Sequence, residues 1–302
     1  MEKRYHWTGL ALAVGSSVSW GVITLYWKLL VAIPALEILA HRIFWAFIFV
    51  LVLMVWRKRS HELALIWRDR TTRHWVALGA FFISINWFTY IWGVTHEMLV
   101  EVSLGYYINP LLTVLWGVIF INERLGRAQI AAIVLAASGV LVMALEYGRI
   151  PGLALTLAIT FSFYGFVKKK TSLDAIASLT METLLVVPIT LLYIGYLQGM
   201  GQGHLVGVNG YVTLLLIFSG VVTAVPLLLF AAGARRVSLT TLGLVQYISP
   251  TMQLFMGVLM FHEPFSVKHL LSFVLIWIAI LFYTLTSIRQ LKQVQLNQHG
   301  GG

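Results

Sequence analysis

Charged side chains set into apolar runs carry the first chemical signal in this sequence. Glu37 and His41 are four residues apart, so on a helix they share a face, and Arg42 follows directly. Glu182 lies in another apolar stretch, and Lys28 stands near the end of a third. Ionisable groups inside a lipid-spanning segment are costly and mark ion or substrate pathways. A carboxylate in a poorly hydrated site can exchange protons near neutrality. Glu37, His41, Arg42, Glu182 and Lys28 are therefore candidates for proton coupling or for recognition of substrate charge. The alternative is a structural ion-pair network, with Lys28 paired to Glu37 and with Lys28 and Arg42 reaching towards headgroups.

A second signal comes from two prolines. Tyr107-Ile108-Asn109-Pro110 and Tyr247-Ile248-Ser249-Pro250 are near-copies 140 residues apart. If the apolar runs around them begin near Val100 and Ser238, Pro110 and Pro250 lie about 15 and about 18 Å along their helices. That is close to the middle of a hydrocarbon core about 30 Å thick. A proline inside a helix removes one hydrogen bond and frees the carbonyl four residues back, here those of Tyr106 and Gln246. Tyr106, Tyr107, Asn109, Gln246, Tyr247 and Ser249 are thus candidate lining of a central cavity. Trp20 and Tyr164, each followed by glycine, occupy equivalent places in their runs and could close over an apolar substrate. The alternative is that Pro110 and Pro250 are kinks for packing alone and that Trp20 and Tyr164 are ordinary core aromatics.

The elements that must position these residues follow from composition. The chain has 302 residues, 59% hydrophobic and 11% charged, with mean hydropathy +0.86. Soluble domains carry about 25% charged residues, so the composition excludes a soluble enzyme. Apolar runs cover roughly 7–31, 35–56, 74–96, 100–121, 127–146, 151–167, 175–197, 210–233, 238–261 and 267–288. A spanning helix needs about 20 such residues, and in lipid the backbone must satisfy itself, so these runs predict ten helices. The run at 151–167 is the shortest. The first run, after Met1-Glu2-Lys3-Arg4, is read as an uncleaved span.

The net charge of +10 is then an orientation signal. With the N-terminus inside, seventeen Lys and Arg fall on the inner side and only Arg149 and Lys268 on the outer, while Lys28 and Arg42 lie within or at the edge of runs. Such a bias predicts both termini on the cytoplasmic side. It leaves no basic folded surface for nucleic acid. Cysteine is absent, which excludes thiol chemistry and disulfides, and no cofactor or metal is called for.

Enzyme signatures are missing too. His262-Glu263 runs into Pro264 and the next histidine is His269, which breaks the H-E-x-x-H spacing. No phosphate-binding glycine loop occurs, and Gly15-Ser16-Ser17 suits close helix packing better than a nucleophile.

Besides the proline motif, Gly93 meets Gly233, Gly117 meets Gly257 and Glu123 meets Glu263 at the same offset; Glu37 meets Glu182 at 145. Each half holds five runs, an odd number, so the second copy enters the membrane inverted. The expected domains are a first repeat over 5–147, a second over 151–288, and a tail over 289–302.

These features resemble the drug/metabolite transporter superfamily. The proline-bearing fourth helix of each half, ending in Asn122-Glu123-Arg124-Leu125 or His262-Glu263-Pro264-Phe265, looks like an EamA repeat. Glu37-Ile38-Leu39-Ala40-His41-Arg42 with Tyr106 to Pro110 looks like the RarD branch. The resemblance implies an all-α integral protein of the bacterial inner membrane: a secondary transporter exporting small metabolites such as amino acids, with drugs including chloramphenicol as further candidate substrates. It implies small-molecule substrates, a lipid environment, protons as candidate coupling ions, and a monomer or homodimer. A facilitative channel or lipid scramblase is the alternative, and a membrane enzyme a more distant one.

Overall fold

The computed structural model describes residues 2–95, 98–147, 151–171, 173–205, 209–260, 266–268, 270–279, 281–282 and 285–286. Glu263, Pro264 and the tail over 289–302 lie outside them. The helices in chain order are α1 (Glu2–Lys28), α2 (Ala35–Trp56), α3 (His61–Arg68), α4 (Arg70–Thr95), α5 (Leu99–Ile121), α6 (Arg127–Tyr147), α7 (Gly152–Lys170), α8 (Ala175–Gly199), α9 (Gly210–Ala234), α10 (Leu239–Gln246) and α11 (Ile248–Met260). A further apolar helix covers Leu270–Ala279. No strand occurs among the described residues.

Among the described residues, seven helices are long and apolar enough to cross a membrane: α1, α2, α4, α5, α6, α8 and α9. The other three expected runs fall short for separate reasons. Three lysines end α7. The run at 238–261 is split into α10 and α11. The last is described only in part. The bundle's outer surface is apolar: Leu145 is 72% exposed, Leu192 76% and Leu214 67%. Exposed leucines in this number belong against lipid tails.

Side-chain caps set four of the helix starts. Asp69 accepts from the Thr72 amide at 2.9 Å and starts α4. The Thr72 hydroxyl and then its amide hold the Asp69 carboxyl below the usual carboxylate range. Asp174, Asn209 and Ser238 cap α8, α9 and α10 from their side chains. Within the polar stretch over 57–73 the structure adds α3, whose Leu63 and Ile66 pack on Met54 and Val76.

Packing is largely between distant parts of the chain. α5 lies along α7, α2 along α8 and α9, α1 along α9 and α11, α4 along α7, and α10 along α5. Two glycines set the closest crossings. A Cβ on Gly220 of α9 would stand 2.2 Å from the Trp45 carbonyl carbon of α2. A Cβ on Gly243 of α10 would stand 2.6 Å from the Pro110 carbonyl oxygen of α5.

The two proline motifs fold differently. α5 continues through Pro110, and the Thr113 hydroxyl donates to the Asn109 carbonyl at 3.0 Å. The second motif interrupts its helix at Tyr247, so Pro250 falls in the first turn of α11. A first-turn proline loses no helical hydrogen bond. Pro250 therefore does not kink an ongoing helix, as the sequence had suggested; it follows a break that is already there.

Candidate functional site

The central cavity lies between α1, α2, α4, α5, α7, α10 and α11, with about 720 Å³ of empty space including its mouth. Trp20, Arg42, Tyr106, Asn109, Gln246 and Ser249 all line it. Pro250 also reaches the wall. So the two motifs that are 140 residues apart in sequence meet here. The Asn109 amide nitrogen donates to the Gln246 side-chain oxygen at 2.7 Å, which ties α5 to α10 across the two halves.

Other expected residues sit elsewhere. Tyr107 and Tyr247 are fully buried behind the cavity, with ring centroids 6.3 Å apart. They pack with Leu104, Ala136 and Phe273, among α5, α6 and the Leu270–Ala279 helix. Pro110 is buried in α5. Tyr164 stacks on Phe230, and its hydroxyl donates to Glu182 at 3.2 Å. Lys28 is exposed at the end of α1.

Two residues of the wall, Trp27 and Trp87, were not anticipated. Trp27 and Trp87 hold the Arg42 guanidinium between them, each ring centroid 4.7 Å from its central carbon. Asn86 donates to the Leu157 carbonyl and to the Thr160 hydroxyl, both at 3.0 Å. Spacing contained this information: Trp27 follows Trp20 by seven residues, two helical turns on one face.

The charged residues form two separate clusters. Glu37 does not pair with Lys28. It accepts from the His204 backbone at 2.6 Å, and the His204 ring nitrogen lies 2.7 Å away. His41 is 3.9 Å from the same carboxylate. This ties the loop after α8 onto the start of α2. Glu182, 1% exposed, holds Lys168, 2% exposed, at 2.5 Å; Ser178 donates to the same oxygen at 3.0 Å. Lys168 looked like one of three inner-face charges in the sequence. Its position four residues after Tyr164, on one helix face, was the overlooked sign. Glu182 also lines a smaller cavity between α2, α4 and α8.

Glu123, just past the end of α5, ties that end to α10. It accepts from the Leu239 and Thr240 amides at 2.7 and 3.1 Å and caps α10.

A helical bundle with an aromatic cavity where two matching proline motifs meet, one of them at a broken helix, fits transporter architecture, and comparison with known proteins decides the family. The profile described as "EamA-like transporter family" matches residues 7–145 and again 150–285. The chain belongs to the EamA-like transporter family. It is 44% identical over 286 residues to the uncharacterized transporter YojE of Bacillus subtilis, covering 93% of this chain and 95% of that one. It is 37% identical over 289 residues to protein RarD of Escherichia coli, covering 95% and 97%. A solved crystal structure aligns with a TM-score of 0.67 at 19% identity, covering 92% of this chain and 98% of the other, a likeness of fold. The RarD-type EamA chain is thus a multi-pass membrane protein of a transporter family.

Proposed function

We propose that this EamA-family chain is a secondary transporter that exports small amphipathic metabolites, amino acids among them, by alternating access around the central cavity. The observation that carries the reading is the meeting of both proline motifs at that cavity, where Asn109 bonds Gln246. Ten spans in two inverted five-helix halves, over 5–147 and 151–288 with both termini cytoplasmic, account for this meeting. The helix contacts support it. Exchanging each helix for its counterpart in the other half turns α1–α9 into α7–α4 and α5–α7 into α10 and α11 on α1, all of which are contacts made here. The widest inequality among the described residues is that α2 lies along α9 more extensively than α4 lies along α8. Inverting that inequality is what a change of access would do.

Glu182 with Lys168 is the favoured coupling group, because the pair is buried and its carboxylate borders the cavity between α2, α4 and α8. Glu37, with His41 beside it, ties the α8–α9 loop through His204 and acts in closure. The test is reconstitution in liposomes loaded with amino acids and aromatic drugs, chloramphenicol included, under an imposed pH gradient, with mass spectrometry of what crosses. Gradient-dependent movement of a few compounds supports the reading, and Glu182→Gln should then transport without responding to the gradient. No movement beyond empty liposomes overturns it.

A further inference from the structure

We propose that the central cavity is an oxyanion site: Arg42 binds the carboxylate of an organic anion whose apolar body lies among the cavity's aromatic rings. This deepens the transporter reading and rests on it for the occupant's identity as substrate.

The argument begins with Arg42. It is 7% exposed in the middle of a helical bundle, yet it makes no hydrogen bond or ion pair with any described residue. Its Nε and Nη1 are buried without a partner. A buried guanidinium left without an anion is expensive, and removal of a partner from such a charge costs far more than removal of both. Here the cost is only partly offset by the Trp27 and Trp87 faces. Those rings fix the guanidinium plane in place and leave its donors for something else.

The rest of the wall says what that is. No Asp or Glu lines this cavity, and Arg42 is its one cation among the described residues. Glu37 is engaged with His204 and Glu182 with Lys168, in separate clusters. An organic cation entering here would meet a positive charge and no negative one. A carboxylate would meet a planar fork that matches its two oxygens. Asn109 Oδ1 and Gln246 Nε2 also lack partners, which provides one acceptor and one donor for a neutral polar group on the same molecule. Trp20, Tyr106 and Phe161 provide the apolar walls.

The test uses purified full-length protein and three probes with one aromatic body: N-acetylphenylalanine, an anion; N-acetylphenylalaninamide, neutral; and phenethylamine, a cation. Titration calorimetry on the wild type should show the anion binding at least tenfold more tightly than either of the others. Arg42→Gln should abolish that preference while leaving the amide within about twofold, and Arg42→Lys should retain part of it. Equal binding of amide or amine by the wild type, a preference that survives Arg42→Gln, or binding of none of the three overturns the proposal. The wild-type comparison decides even if Arg42→Gln does not fold. Counterflow of the same probes in liposomes separates the two readings. Arg42-dependent anion binding with no movement keeps the site and sinks transport; movement without an anion preference keeps transport and sinks the site.

Discussion

Lys168 and Glu182 hold each other inside the bundle, where each would be costly alone. Ser178 and Tyr164 complete the carboxylate's bonds. Breaking a buried pair from one side strands the other charge, at about 3–5 kcal/mol. Lys168→Met and Glu182→Leu should therefore each lower the thermal midpoint of the purified protein markedly. The double variant should recover most of the loss, because two apolar groups replace two charges. Additive losses in the double would mean that the pair is not coupled. Glu182 was legible in the sequence because a carboxylate in an apolar run has few other uses. Lys168 was not, since three consecutive lysines after a run also fit an inner-face charge cluster. Only the length of α7, which carries Lys168 into the bundle, separates the first lysine from its neighbours.

At the scale of helices, close crossings depend on single hydrogen atoms. Gly220 brings α9 onto the α2 backbone, so Gly220→Ala forces the helices apart. Overpacking of this kind costs about 1–3 kcal/mol. Gly195, within α8, has nothing within 4 Å of an added methyl. There, Gly195→Ala should stabilise by about 0.5–1 kcal/mol, since glycine is a poor helix former. Thermal unfolding of the two variants side by side checks both signs; a loss at Gly195 equal to that at Gly220 would contradict the crossing. The apolar runs were readable because lipid permits little except helices. The fate of the two proline motifs was not. Nearly the same four residues continue α5 in one half and follow a break in the other, because the outcome depends on what packs against them. Gly243 sits against the Pro110 carbonyl, a contact between residues 133 positions apart that no local pattern announces.

For the whole molecule, the apolar runs and the clustering of Lys and Arg in alternate connections were legible in the sequence, whereas the assignment of neighbours came only from packing. The charge bias gives a direct prediction, because the native chain has no cysteine. In intact cells a membrane-impermeant maleimide should label Gln202→Cys, in the α8–α9 loop, and spare Ser60→Cys, between α2 and α3. The reverse pattern would invert the proposed orientation.

The same clean background tests alternation itself. In an inverted repeat, a state with α2 close along α9 and α4 looser along α8 has a partner state with those roles exchanged. Ser84 on α4 and Thr183 on α8 both face the cavity between these helices. If that cavity closes during transport, a Ser84→Cys, Thr183→Cys protein should cross-link faster when a transported substrate and gradient are present than when both are absent. A rate indifferent to substrate would mean that α4 and α8 do not move, and alternation would have to be sought in α1 and α7 instead. Under the proposed inverted repeat, the unequal contacts at α2–α9 and α4–α8 point to the motion that would convert this structure into its inverse.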